Sequence, residues 1–278
     1  MARPRSALRP LLPTGAAIGL LLVTSCTTSS LPPVDLPPPN DEARGIVVMA
    51  HGVEGRAESW PAAFERYFEQ VAPDSSLWQF YRLDWYEASL VRLAAPRRAY
   101  ELGRRIGEEL LAPGRSYEVA HLIGHSAGAH VVEGVADVLV RLEPAERPAI
   151  HATFLDPFVA RSVVRLFYGV RVFGANADFA MSYVTRDDPV PFTNSYLEHA
   201  HTIDLTETVP DRDGAPDNFE HLWPIEYYRG GDDPDGAGIG LSPVMTLGTT
   251  VTREHALDAL ARLGERFPRG ATAVRGER

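Results

Sequence analysis

Strands alternating with helices along most of the 278 residues predict an α/β protein with a doubly wound, mostly parallel sheet. Three observations carry this expectation. Short, wholly apolar runs such as GIVVMA at 45–50 read as strands buried on both faces. Segments with apolar residues at helical spacing lie between those runs. The sequence Gly124-His125-Ser126-Ala127-Gly128 joins one such strand directly to one such helix.

The elements follow in order. After the strand at 45–50 and His51-Gly52, residues 58–71 place Trp60, Phe64, Tyr67, Phe68 and Val71 on one helical face, with Pro61 tolerated in the first turn. A second strand spans 77–83 and closes on Asp84-Trp85. Residues 96–111 form a helix through Tyr100, Leu102, Ile106 and Leu110. The apolar stretch 117–123 is the strand before Ser126, and Val131, Val135, Val138 and Leu142 recur at helical spacing after it. Residues 150–155 make a strand ending at Asp156-Pro157. Further strands are predicted at 179–185 and 201–205, and an amphipathic helix at 253–267. No internal repeat is visible.

A serine between two glycines on a strand-to-helix turn has a physical rationale as a nucleophile. The turn strains the serine backbone, the glycines remove side chains that would collide with neighbouring elements, and the helix N-terminus turns amide groups toward an oxyanion. The bland reading is an ordinary loop serine, and the strand–turn–helix context favours the first. In parallel sheets, chemistry gathers beyond the carboxyl ends of the strands. There the sequence places His51-Gly52, Ser126, Asp156 and the Asp187-Asp188 pair.

The chain's ends carry different signals. Arg3, Arg5 and Arg9 precede an apolar run at 11–23 that is short for a membrane span, and Val23-Thr24-Ser25-Cys26 follows. This resembles a bacterial lipobox. Residues 1–25 are therefore expected to be a lipoprotein signal peptide, with Cys26 lipidated and the protein anchored by that lipid at the cell envelope, facing out of the cytoplasm. Residues 26–43, rich in Ser, Thr and Pro, read as a poorly ordered tether; 44–268 as the catalytic domain; and 269–278 as a disordered tail. Cys26 is the chain's single cysteine, which leaves no disulfide within it. The formal net charge of −10 argues against a nucleic-acid partner and against electrostatic adhesion to anionic lipid.

Ser126 needs a histidine to take its proton and a carboxylate to orient that histidine. His221 is the best placed of the later histidines, expected in a loop after the polar segment 211–219. Two acids compete, Asp156 in FLDPF and Asp188 in VTRDDPVPF, and position alone does not separate them. Each also reads simply as an Asp-Pro turn.

Five segments in order, VVMAHGVEGRAESW, YRLDWYEAS, HLIGHSAGAH, TFLDPF and NFEHLWPIEYY, resemble motifs of the pancreatic lipase-like family of α/β-hydrolases, which includes lipoprotein lipase and phospholipases A1. The resemblance covers residues 46–228. It implies an α/β-hydrolase fold, a triad of Ser126, Asp156 and His221, and an oxyanion hole formed by the amides of Val53 and Ala127. No cofactor or metal is implied. The chain departs from the family in having no disulfide and no C-terminal β-sandwich. Trp223-Pro224 stands where the family has an arginine after the histidine, and the spacing from Ser126 to Asp156 is longer, which keeps Asp188 open as the acid. The segment ETVPDRDGAPDNFE before His221 is short and acidic, unlike an apolar lid.

The implied function is hydrolysis of carboxylic esters, with lipid or acyl esters as substrates. Acyl transfer on the same triad and a non-catalytic envelope-binding role stand as alternatives. Oligomeric state is not legible. Asp232 to Gly236 lacks the spacing of a calcium loop and reads as a solvated acidic turn, and His125 and His130 read as residues that pack or hydrogen-bond loops rather than bind a metal. Trp85 and Tyr86 are candidates for an acyl pocket or for the core.

Overall fold

The computed structural model describes residues 31–210, 214, 216–230, 252–266 and 270–273. Seven strands, all parallel to their neighbours, form one sheet in the order β2-β1-β3-β4-β5-β6-β7. They are β1 (Gly45–Ala50), β2 (Trp78–Leu83), β3 (Val119–His125), β4 (Ala149–Leu155), β5 (Phe179–Val184), β6 (His201–Asp204) and β7 (Gly270–Ala273). The order reverses between β1 and β3, the kind of switch point at which parallel sheets open a crevice.

Alternation within β1 shows how the sheet builds two cores. Ile46, Val48 and Ala50 face one apolar cluster with Leu102 and Ile106 of α3 (Ala95–Leu110) and Val131 and Val135 of α4 (Ala129–Leu139). Val47 and Met49 face the other, with Phe64 and Phe68 of α1 (Trp60–Val71), Ile225 and Tyr228 of α6 (Phe219–Tyr228), and Ala256 and Leu260 of α7 (Arg253–Arg266). Both faces are covered, which is why the central strands are buried at every position, with His121, His125, His151 and Thr153 the polar residues among largely apolar ones. Two short helices, α2 (Tyr86–Ser89) and α5 (Tyr168–Val172), complete the structure.

Three sequence expectations change. Residues 269–278 were expected to form a disordered tail, yet Gly270–Ala273 pairs with β6 as the last strand. The tether of 26–43 is not a free spacer over its described part: Leu36 is buried, and Leu31 and Val34 pack on the α3–α4 side of the core. Apolar residues spaced by prolines can lie on a core without forming a helix or strand, and composition does not reveal this. His221, expected in a loop, stands in the first turn of α6. Cys26 and the acidic turn at 232–236 lie outside the described residues. Among the described residues no helix is long and apolar enough to cross a membrane.

Candidate active site

Ser126 follows β3 directly and opens a single 3-10 turn, Ser126–Gly128, that runs into α4. Its φ is +52°, in the left-handed region that L-residues enter only when their surroundings impose it. The glycines show what imposes it. A Cβ on Gly128 would lie 2.2 Å from the Ala50 carbonyl oxygen, and one on Gly124 would lie 2.6 Å from the Gly128 carbonyl oxygen. Strand, turn and helix therefore approach to backbone contact, and Ser126 is held at the apex.

Ser126 lines a cavity of about 440 Å³ together with His221, Val53 and Ala127. Phe158, Val190, Pro191, Phe192 and Pro96 make its wall largely apolar, while Glu54 and Arg92 stand at one side and pair at 2.7 Å. The described non-glycine residues with positive φ are Glu54, Ser126, Asp156 and Phe192. Three line this cavity and the fourth holds His221, so backbone strain is gathered in one place.

The loop carrying Val53 is fixed from behind. The His51 Nδ1–H donates to the Gly52 carbonyl at 2.8 Å, and the Trp85 indole N–H donates to the His51 carbonyl at 2.9 Å. Burial depresses the pKa of His51, which stays neutral in this role. Trp85 is buried behind the loop rather than in the cavity wall, so it belongs to the core and not to an acyl pocket. Tyr86 carries the Arg56 guanidinium over its ring at 3.8 Å.

His221 is placed by its backbone and by its ring. Pro224 has no N–H to give the Glu220 carbonyl one turn earlier, and the Thr185 hydroxyl donates to that carbonyl at 2.6 Å instead. The next carbonyl, that of His221, accepts from His125 Nε2–H at 3.0 Å, and the two imidazoles pack with centroids 4.5 Å apart. Residues at the ends of β3 and β5 thereby clamp the first turn of α6.

Both candidate acids reach the ring. His221 Nδ1 lies 2.8 Å from Asp156 Oδ2 and 2.8 Å from Asp188 Oδ2. With Nδ1 as donor, Nε2 keeps its lone pair for the cavity. Burial works to lower the His221 pKa, but the hydrogen bonds and charges of the two carboxylates outweigh it and raise it, which stabilises the imidazolium that forms once Nε2 has taken a proton. Burial drives Asp156 well above the usual carboxylate range. Burial would also raise Asp188, yet hydrogen bonds from His221, the Asp156 carboxyl and Thr193 outweigh it and hold Asp188 at about 2. Among the described residues, this trio is also the group whose ligand atoms lie close enough to share a cation. Its 2.8 Å separations are hydrogen-bond lengths, and a cation would need Nδ1 without its proton.

The sequence-predicted residues Ser126, Val53, Ala127 and His221 thus share one cavity, with Asp156 and Asp188 together behind His221. Sequence reasoning missed His125, Thr185 and Thr193 as parts of this assembly. Of these only His125, adjacent to Ser126, had drawn notice, as a residue that packs or hydrogen-bonds a loop, and its bond to the His221 carbonyl is of that kind. His130 does pack: it is buried, with Nε2–H directed to the Ala160 carbonyl at 3.2 Å.

No profile of a known protein family matches the chain, and no curated protein matches it. Among solved structures it is similar to an α/β-hydrolase from a Medee basin deep-sea metagenome library, at 15% identity and TM-score 0.33, over 55% of this chain and 60% of that one. The match therefore spans less than two thirds of that hydrolase's length. It is also similar to the RedJ thioesterase of the prodiginine pathway in Streptomyces coelicolor (14%, 0.33, covering 62% and 81%). A third is the Trichoderma reesei cutinase in complex with a phosphonate inhibitor (15%, 0.33, covering 81% and 78%). These likenesses are distant and say nothing about activity. The parallel strand order, the helices on both faces and the strained strand-to-helix turn at Ser126 give this chain the α/β-hydrolase fold.

Proposed function

We propose that the protein is a serine hydrolase of carboxylic esters, with lipid or acyl esters as its substrates, acting through Ser126 and His221. The observation that carries this reading is His221 on the wall of the Ser126 cavity with its Nδ1 committed to buried carboxylates. Nε2 takes the Ser126 hydroxyl proton as Oγ attacks the ester carbonyl. The amides of Val53 and Ala127 receive the oxyanion, a role in which one donor is worth about 3–4 kcal/mol of transition-state stabilisation. His221 then returns the proton to the leaving alcohol, and water repeats the sequence on the acyl-enzyme.

Two features support a lipid or long-chain substrate. The cavity is apolar and of a size that takes an acyl chain. Exposed apolar residues stand on two segments that adjoin cavity residues in the chain or by contact. Leu93, 83% exposed, is next to the cavity residue Arg92, and Val163 and Val164, 73% and 85% exposed, tip a tight turn closed by Ser162 and Arg165. Phe167, in the same segment, packs on the cavity residue Phe192. The resemblance to pancreatic lipase-like enzymes and the expected lipid anchor at Cys26 agree with this reading.

Labelling by a fluorophosphonate probe tests it. Wild-type protein is expected to be labelled and Ser126→Ala not. A folded wild type that neither reacts nor hydrolyses any of a panel of acyl esters would overturn the proposal.

A further inference from the structure

We propose that Asp156 and Asp188 act on His221 as a single paired carboxylate that shares one proton, each able to orient the imidazole when the other is lost. This inference rests on the hydrolase reading of Ser126 and His221 for its catalytic meaning, and on geometry for its existence.

Adjacent parallel strands bring the two acids to one point. Asp156 directly follows β4 and Asp188 lies four residues past β5, with Leu155 paired to Tyr183 in the register between them. Both side chains are fully buried, and both present Oδ2 to the same nitrogen at 2.8 Å. Nδ1 carries one hydrogen, so it cannot by itself satisfy two anions. Two ionised carboxylates buried side by side repel each other, and one of them holds a proton.

The surroundings decide which. Asp188 Oδ1 accepts the Val190 amide at 2.8 Å, and its Oδ2 accepts the Thr193 hydroxyl. Asp156 has a single distant amide, that of Thr185, at 3.4 Å. The charge therefore resides on Asp188 and the shared proton on Asp156. The other ring facing His221 is His125, which burial keeps neutral, so the carboxylate pair alone sets the charge behind the imidazole. The pair is a positioning device: neither carboxyl group lines the Ser126 cavity.

The test uses the full-length protein with Asp156→Asn, Asp188→Asn and both together. Rates on a soluble p-nitrophenyl ester are followed across pH, and the His221 imidazole is titrated by NMR. Each single variant keeps one carboxylate charge behind the ring and is expected to hold activity within about 100-fold of wild type and the His221 midpoint near its wild-type position; the double variant should lower the midpoint. The double variant should fall by about 10⁴-fold, the scale on which a serine protease loses kcat when its one orienting Asp becomes Asn. Asp156→Glu with Asp188→Asn, and Asp156→Asn with Asp188→Glu, each return one charge relative to the double variant and should restore the midpoint, which separates lost charge from lost fold. If one Asn substitution alone gives the whole loss and the other leaves both rate and midpoint unchanged, the paired action is wrong. If wild-type protein proves inactive toward esters and probe, the hydrolase reading fails, while the NMR midpoints still decide whether both carboxylates hold His221.

Discussion

The Thr185 hydroxyl donates to the Glu220 carbonyl at 2.6 Å, the carbonyl whose helical partner would have been the missing N–H of Pro224. A proline that would ordinarily weaken the middle of a helix here frees an acceptor, and a side chain at the end of β5 uses it to fix the turn that carries His221. Thr185→Val leaves that carbonyl unpaired in a buried setting, at a cost of about 1–3 kcal/mol. If the loss falls on His221 placement, kcat drops by about tenfold or more with little change in KM. Pro224→Ala in the Thr185→Val background supplies a backbone donor and is expected to recover much of the rate. Steady-state kinetics of the two variants check this, and an unchanged kcat in Thr185→Val would show that the clamp is not needed.

The turn at Ser126 tolerates no side chain on its glycines. Gly128→Ala places a Cβ 2.2 Å from the Ala50 carbonyl oxygen, against backbone that has no rotamer to change. Overpacking of this kind costs roughly 1–3 kcal/mol or more. A lowered Tm together with loss of probe labelling at Ser126 is expected. Labelling at the wild-type rate would mean the sheet and helix can separate without moving the serine.

His121 and His151 stack between β3 and β4 with centroids 4.2 Å apart, and both are buried. Burial, with a further contribution from His151, holds His121 well below its ordinary value. Burial alone brings His151 down to about 3. Below pH 6.5 the unfolded chain takes protons on these rings while the folded chain does not, so stability falls as pH drops from about 6.5 toward 3. Above 6.5 neither ring contributes. Each such group accounts for up to about 1.4 kcal/mol per pH unit in that window. Denaturant unfolding of wild type and His151→Phe between pH 4 and 8 is expected to give a shallower acid decline in the variant. Parallel curves would rule the imidazole out as a source of the acid sensitivity.

The exposed apolar turn at 162–165, in the segment whose Phe167 packs on Phe192, predicts a split between substrates. Replacing Val163 and Val164 together by Asp puts charge at the tip of that turn without touching the residues that line the cavity. Hydrolysis of phospholipid vesicles or emulsified esters is expected to fall at least tenfold, with kcat/KM on a short soluble ester unchanged. Equal effects on both substrates would place the turn in catalysis or folding rather than at a lipid surface.

The sheet was legible because its strands are buried on both faces. GIVVMA, VAHLIGH and AIHATFL are mostly apolar on both faces, and their boundaries in the structure lie within two residues of those expected. The nucleophile turn was legible for a related reason: Gly124 and Gly128 are dictated by backbone contacts too close for any Cβ. Helix α6 was not. Its proline and the lack of a clear apolar stripe disguise it, since its stability comes from Ile225 and Tyr228 packing on the sheet and from carbonyls satisfied by other elements. Strand β7 likewise depends on β6 as a template, which composition near the chain end cannot show.

By itself the sequence determined the fold class and the serine turn, because burial on both faces and close backbone approach leave few alternatives at those positions, while His221 and the two acids were reached through their place in the chain and a family resemblance. The choice between Asp156 and Asp188 was a question only the tertiary structure could answer. Its answer, both on one nitrogen, depends on the register of β4 against β5 and on the depth at which α6 docks.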